Sequence, residues 1–591
     1  RCIELSPSSK NPSQNRLLAL NYLSTVSPRL VFEAHAAWAD RFAREVGVPF
    51  TTWPNLKVTN RPLRIGYIGP DFFHHSVSFF LHALLEHRNK DLFEVFIYSN
   101  SAREDEKTEL FKGMLPADHW NKVLGQTSQQ VADLIRADQV DILIELAGHT
   151  ANNRLDVIAL KPAPVQFTYI GYNNSTGLGS IDYRIVDEVV DPLDTEQPFS
   201  EELVRIPGCF LCYTPPLKIP DVAPLPANRQ GFVTFGSFSC LAKVGDPCVA
   251  LWARVLHEVP GSRLLVKNKG FYSTDVQATF FNKFKEHGIA EHRLKLMSLA
   301  TTSFDHLNIY NEVDIALDTF PYSNTTTTCE ALLMGVPAIC LAGKTHGARV
   351  CMTLLTAIGL GDLAGETEDE YVAKAKGLAA NLQSLAVLRS NIRQALLSSP
   401  LCDGPGFVKN KFEPVLMEKW RLYCEGRPPS QQTFASSEPP HPLAPGAFAP
   451  PLPPGAPIVS GPPARNGTAP QAFMMASPVS NLPASIPLAA TPGLMQTHAF
   501  QLPALSMHPM TNATASMQMS QAAMMSQAAM MPQAAMMPML PQATMMVQPQ
   551  EVAQIMSQPM SPANCVWRNP VVVHHFPQGY PAPVCMGQMV P

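Results

Sequence analysis

A chain of 591 residues has length for about three or four domains, and its 44 basic against 48 acidic side chains leave a net charge of −4. That near balance excludes the basic profile of a polyanion or membrane-surface binder, so neither nucleic acid nor membrane is expected as a partner. No run of 18 apolar residues exists to span a bilayer, and the chain opens on Arg1 without a basic-then-apolar leader, which reads as an N-terminally truncated fragment without a signal peptide.

Residues 1–55 carry apolar side chains at spacings of three and four over 15–22 and 30–46, the period of helices. Residues 2–7 read as the last turn of a helix stopped by Pro7. From Arg64 the texture changes. Short apolar or β-branched runs at 63–68, 93–98, 140–146, 165–170 and 183–186 alternate with helix-compatible segments such as 77–88 and 128–137. That alternation predicts a mostly parallel sheet with helices on its faces. A proline-rich stretch, 214–228, marks a boundary, and a second series follows at 232–238, 263–266, 294–299, 313–317 and 337–341, with helices at 248–259 and 280–287. Two such units imply two lobes with a cleft between them, where ligands sit beyond the carboxyl ends of strands. The last ordered element is predicted as one helix over 407–424. Residues 427–591 hold 20 of the 25 methionines and 31 of the 56 prolines but five charged side chains, and the unit QAAMM(S/P) recurs three times from Gln521; no packed fold is expected there.

Twelve cysteines are scattered along the chain, and Cys209 and Cys212 form a lone C-x-x-C pair with no answering partner set. One pair is weak zinc evidence, so these are expected as core thiols on a strand, in a reducing cytosolic or nuclear setting.

The stretch 318–335, DTFPYSNTTTTCEALLMG, places four threonines where a strand gives way to a helix. Unpaired N–H groups, the positive end of the helix dipole and hydroxyl donors make that turn a phosphate cradle, or the threonines merely cap the helix. Glu330, one turn in, suits sugar hydroxyls rather than phosphate. Lys243, just after the first strand of the second lobe, is placed to offset charge growing on a departing diphosphate. His306 lies on the helix before 313–317, where it can stack on a base or simply cap the fold. In the first lobe, Asp71-Phe72-Phe73-His74-His75-Ser76 and Gly148-His149-Thr150-Ala151-Asn152-Asn153 follow strands, which makes His75, His149 and Asn153 cleft candidates beside the plainer reading as loop residues. No D-x-D or other acidic cluster is present to clamp a metal–diphosphate, so no metal is expected.

Together these segments resemble the SPINDLY branch of the protein O-glycosyltransferases, which also include the nucleocytoplasmic O-GlcNAc transferases. The resemblance covers about residues 1–426 and rests on RIGYIGPDFFHHSVS at 64–78, DILIELAGHTANN at 141–153, PAPVQFTYIGY at 162–172, VRIPGCFLCYTP at 204–215, FVTFGSF at 232–238 and the 318–335 stretch. It implies an α/β fold of the GT-B type, two Rossmann-like lobes at 56–225 and 226–426, preceded by the end of an α-helical tetratricopeptide array with linking helices at 1–55 and followed by a disordered tail at 427–591. It implies metal-independent, inverting transfer to Ser or Thr of proteins in the cytoplasm and nucleus. By position, His75 resembles the family histidine near the acceptor hydroxyl and Lys243 the lysine on the donor diphosphate. Thr325, Thr326 and Thr327 match the phosphate-binding turn, Glu330 the ribose-binding acid and His306 the base-stacking histidine. The SPINDLY branch matches at His75, 325–328 and Glu330, which favours GDP-fucose as donor, with UDP-GlcNAc as the alternative and a non-catalytic scaffold as the rival from another class. Two departures stand at the site: Cys240 replaces an amide, and Ser323-Asn324 replaces a pair of small residues.

Overall fold

The structure, a computed structural model, describes residues 10–427, 429 and 430; the expected helix end at residues 2–7 and nearly all of the low-complexity stretch lie outside the described residues. The first sheet has seven strands: β1 (Leu63–Gly69), β2 (Phe93–Ser99), β3 (Trp120–Lys122), β4 (Ile142–Glu145), β5 (Val165–Thr168), β6 (Tyr183–Val186) and β7 (Glu202–Arg205), in the order β3-β2-β1-β4-β5-β6-β7. Every pairing in it is parallel. β4, β5 and β6 are buried along their whole length, because helices cover both faces; this is why they sit in mostly apolar runs, interrupted by the buried polar side chains of Glu145, Gln166, Thr168 and Arg184. The edge strands β3 and β7 are only half-buried, carry Asn, Lys, Glu and Arg, and left no such run to read.

The second sheet repeats the plan with β8 (Thr234–Ser237), β9 (Arg263–Lys267), β10 (Leu294–Met297), β11 (Ile315–Leu317), β12 (Ala338–Leu341) and β13 (Ala364–Gly365), again all parallel, in the order β10-β9-β8-β11-β12-β13. Each sheet therefore reverses its strand order once, between β1 and β4 and between β8 and β11. Such a reversal opens a crevice at the carboxyl ends of the two strands. The four segments that leave those strands are Asp71 to His75, Ala147 to His149, Phe238 to Lys243 and Asp318 to Thr325.

One apolar cluster joins the lobes. It runs from β1, β2 and the helix Ser76–Glu86 to Cys329 and Leu332 of the helix Thr326–Leu333 and to Val350 and Leu354 of the helix His346–Ala357. Polar bonds cross the same boundary: His346 Nδ1 lies 2.6 Å from an Asp191 carboxylate oxygen, and the Thr353 hydroxyl donates to Asp187 at 2.7 Å.

The run predicted as a single helix at 407–424 is split. An α-turn, Gly404–Phe407, passes into a π-helical stretch, Val408–Phe412, before the helix Glu413–Cys424. Pro414 explains the break, since it has no N–H to donate to the preceding turn and a wider turn absorbs the lost bond. This helix returns to the first lobe: Trp420 donates to the Val58 carbonyl at 2.9 Å and Glu413 accepts from the Asn89 N–H at 2.6 Å. At the other end, the helices Lys10–Leu20 and Pro28–Val46 lie on the first lobe through Trp38 and Phe42. Cys209 and Cys212 are buried free thiols as expected, but they sit in irregular chain after β7, not on a strand. Among the described residues, no helix is long and apolar enough to cross a membrane.

Candidate functional site

The second-lobe crevice is built on Asp318. Its Oδ1 accepts the N–H groups of Thr319 and Asn324, both at 2.8 Å, which curls residues 318–324 back across the end of β11. The Thr319 hydroxyl closes on the Tyr322 carbonyl and the Ser323 hydroxyl on the Gly347 carbonyl, each at 2.8 Å. The Asn324 amide donates to Ser239 Oγ at 2.7 Å, tying this loop to the end of β8. Thr325 is then the N-cap of Thr326–Leu333, but its side chain makes no capping bond. Among the described residues, the hydroxyls of Thr325, Thr326 and Thr327 have no hydrogen-bond partner; Thr328 alone of the four bonds inward, to the Asn324 carbonyl at 3.3 Å. The capping role open to these residues is thus not taken, and a set of O–H and unpaired N–H donors stands at a helix N-terminus.

Lys243 reaches the same turn from the β8 side. Its ammonium donates to the Ser323 carbonyl at 3.0 Å and to Asn324 Oδ1 at 3.4 Å, and stands 4.7 Å from the centre of the Tyr322 ring. Burial pulls its pKa down, opposed by the carboxylate of Asp318 and by Cys240. Asp318 is itself pushed up to about 7 by burial.

His306 and Glu330 meet on the other side of the turn. His306 Nε2 lies 2.9 Å from Glu330 Oε2, and the Tyr310 hydroxyl 3.4 Å from the same oxygen. The ring of Phe238, the first residue past β8, stands 5.8 Å from that of His306 and 4.2 Å from that of Tyr310. The result is a shallow slot with an aromatic wall, a carboxylate and the threonine donors.

In the first lobe, His75 is the N-cap of Ser76–Glu86; its Nδ1 accepts the Val77 N–H at 3.3 Å and lies 3.5 Å from Asp71 Oδ1. Burial, Arg103 and His74 lower the pKa of His75, while burial and then Glu145 push Asp71 up to about 7. The neighbouring His74 Nε2 lies 2.9 Å from Ser303 Oγ, so this loop touches the second lobe at the first residue of the His306 helix, Ser303–Asn308. His149 and Asn153, expected in the cleft, are elsewhere. His149 is 1 % exposed, its Nε2 2.8 Å from the Thr176 carbonyl and its ring packed edge-on to Trp38, Tyr172 and His35. Burial lowers its pKa to about 3, so it is a neutral core group. Gly148, with φ +52° and room for a Cβ only 2.2 Å from that of Tyr172, turns the chain so that this imidazole points under the N-terminal helices. Asn153 exchanges two hydrogen bonds with Gln14, at 3.3 and 3.2 Å.

Lys267 belongs to the site and was not singled out from sequence; Asp71 and Asp318 stood inside the flagged stretches without a role of their own, and Asn324 was noted as a departure from the family pattern. The available signal was position: Asp71, Asp318 and Lys267 follow or close the strands β1, β11 and β9, each with a polar group where the apolar run stops. Among the described residues, the metal-ligating side chains near enough to share an ion are Asp318, Cys340 and Cys351, within 4.8 Å of one another and buried under the turn. Two thiols and one carboxylate suit a soft cation, not the hard Mg²⁺ that accompanies diphosphates.

Two parallel-sheet lobes whose order reversals carry a lysine and a threonine-lined helix start define a GT-B fold. The glycosyl transferase family 41 model matches residues 34–214 and 225–410, and the chain belongs to that family. It is 45 % identical over 429 residues to the SPINDLY protein of Arabidopsis thaliana, named a probable UDP-N-acetylglucosamine–peptide N-acetylglucosaminyltransferase, covering 72 % of this chain and 47 % of that one. The SEC protein of the same plant, which bears the same enzyme name, is 30 % identical over 71 % of this chain and 44 % of its own. Among solved structures, a Thermobaculum terrenum O-GlcNAc transferase mutant superposes with a TM-score of 0.68 at 33 % identity, covering 72 % of this chain and 80 % of that one. The chain spans about half the length of the curated relatives it matches.

Proposed function

We propose that this chain is a SPINDLY-type protein O-glycosyltransferase that moves a sugar from a nucleotide-sugar donor to Ser or Thr of proteins in the cytoplasm and nucleus. The observation that carries the reading is the set of unbonded threonine hydroxyls and helix N–H groups beside Lys243 at the second-lobe reversal. In this reading an acceptor hydroxyl attacks the anomeric carbon in line as the bond to the diphosphate breaks. Thr325, Thr326 and Thr327 bind the leaving diphosphate, and Lys243 neutralises the charge that grows on it. His306 stacks on the base and Glu330 accepts from the ribose. Protein donors take the place of a metal in this reading, since the candidate metal-ligating group near the turn among the described residues, Asp318 with Cys340 and Cys351, is buried and does not suit Mg²⁺.

His75 is the candidate base, and Asp71 decides whether it can act. While Nδ1 accepts from Val77, Nε2 carries the proton and cannot take another. When Asp71 is ionised, Nδ1–H turns to it and Nε2 is free to accept the hydroxyl proton. GDP-fucose is the favoured donor, on the resemblance to the SPINDLY branch at His75, Thr325 to Thr328 and Glu330. UDP-GlcNAc is the alternative, as the names of the relatives have it.

The test is parallel incubation of the chain with labelled GDP-fucose and UDP-GlcNAc and a cell extract, followed by peptide mass. A deoxyhexose mass on Ser or Thr supports the reading as stated, and an N-acetylhexosamine mass moves it to the alternative donor. No modification with either donor, from a chain that is folded, overturns it.

A further inference from the structure

Lys267, the last residue of β9, is 4 % exposed, and burial lowers its pKa against the opposing pull of Glu330. No carboxylate touches it among the described residues. The ammonium instead lies 2.6 Å from His306 Nδ1, and 5.6 Å from the centre of the Phe238 ring. A buried cation held by a neutral imidazole loses solvation that the contact does not restore, so its place in the slot calls for a reason.

Hydrogen-bond chemistry supplies one. Lysine has only donors, so Nδ1 of His306 must accept, and the ring proton must sit on Nε2. Nε2–H then donates to Glu330 Oε2 at 2.9 Å, with the Tyr310 hydroxyl on the same oxygen. Both donors converge on Oε2, which leaves Oε1 without a partner among the described residues. We infer that Lys267 is the positioning residue of the nucleotide slot: it locks the tautomer of His306 and, through it, turns Glu330 Oε1 towards the ribose diol of a nucleoside diphosphate. This rests on the reading of the slot as a nucleotide-sugar site. Without the ammonium, Nδ1 regains the option of the proton, Nε2 becomes an acceptor facing a carboxylate, and the Glu330 side chain loses its anchor.

The experiment uses the full chain in three forms, wild type, Lys267→Met and Lys267→Arg, with Lys267→Gln as a second neutral variant if Lys267→Met is unfolded by circular dichroism. GDP and UDP are titrated calorimetrically into each, donor KM and kcat are measured, and ¹⁵N-imidazole spectra read the tautomer of His306, assigned by loss of its signal in His306→Ala. Wild type is expected to show an Nε2–H ring. In the neutral variant that signature is lost, nucleotide affinity falls about tenfold, the worth of one charge-assisted bond, donor KM rises and kcat stays within about threefold. Lys267→Arg restores most of the affinity. Equal affinity in wild type and the neutral variant, or an unchanged tautomer, overturns the inference alone. A wild type that binds neither nucleotide overturns the reading of the slot, and the inference with it.

Discussion

The two lobes solve the same topological problem and spend the result differently. Each parallel sheet reverses its strand order once and so opens one crevice. In the first lobe, most polar groups at that crevice are used internally: Glu145 accepts the N–H groups of Ala147 and Gly148 and the Thr168 hydroxyl, and His149 and Asn153 hold the N-terminal helices. The Asp71–His75 loop instead faces the second lobe, with His74 at Ser303. In the second lobe, three threonine hydroxyls and the first helix N–H groups have no partner among the described residues, and Lys243, which reaches the same turn, is shared between a carbonyl and an amide oxygen. A crevice whose donors are already satisfied gives structure; one whose donors are idle gives binding. In the proposed reading the first lobe offers a base and a wall, the second a donor site.

The sharpest way to break that contrast is Lys243→Ala. We expect kcat to drop about 10²–10³-fold, the scale for loss of one donor to developing anionic charge, with circular dichroism unchanged because the Asn324–Ser239 bond still ties the loop to β8. Turnover equal to wild type would make the two crevices equivalent. The converse substitution in the first lobe is His149→Ala. It removes a packed ring and leaves a cavity, so stability to urea should fall by about 3 kcal/mol while donor KM in the surviving folded protein is unchanged. A raised donor KM would return His149 to the cleft.

An intermediate effect separates the base from the wall. Asp71 titrates near 7 in the fold, raised from the ordinary carboxylate range by burial and by Glu145. A raised carboxyl pKa stabilises the fold at pH below the unfolded value near 4, and that stabilisation is lost as pH climbs to 7. Asp71→Asn should therefore flatten the fall in urea midpoint between pH 5 and 8. In the same variant the rise of kcat with pH across 6–8 should disappear, since Nδ1 of His75 no longer gains a charged partner. Parallel pH–rate curves for variant and wild type would remove Asp71 from the chemistry.

How far these residues were legible in the sequence follows from the same physics. Strands buried on both faces announce themselves as apolar runs, so β1, β2, β4, β5 and β6 were visible, while β3 and β7 at the edges were not. The threonine turn and Lys243 were legible because each lies in the segment that leaves a readable strand. Asp71 and Lys267 were not, since a lone charged residue at a strand end looks the same whether it faces water or a slot, and only the tertiary partners tell the two apart. His149 misled for the matching reason: a histidine after a strand end can turn outward or inward, and the φ of Gly148 sends it inward. The π-helical stretch before Pro414 also escaped the apolar period, which persists through a widened turn.

The smallest expected effect probes the idle donors themselves. Thr327→Val keeps the shape of the side chain and removes one half-buried hydroxyl that has no partner among the described residues. Its backbone carbonyl, which accepts from Tyr310 at 3.2 Å, is retained, so the slot wall should stand. If the hydroxyl waits for a phosphate oxygen, the loss is one hydrogen bond to a charged group, about 1.5 kcal/mol or roughly tenfold in nucleotide affinity at most. The unfolding midpoint should stay put or rise slightly, because a polar group without a partner has been exchanged for an apolar one. If instead the hydroxyl does nothing but cap, the signs reverse: stability falls by about 1 kcal/mol and nucleotide affinity does not move. Calorimetry and urea unfolding on one preparation read both signs, and only the first pair is compatible with a second-lobe crevice whose donors are held in reserve for a ligand.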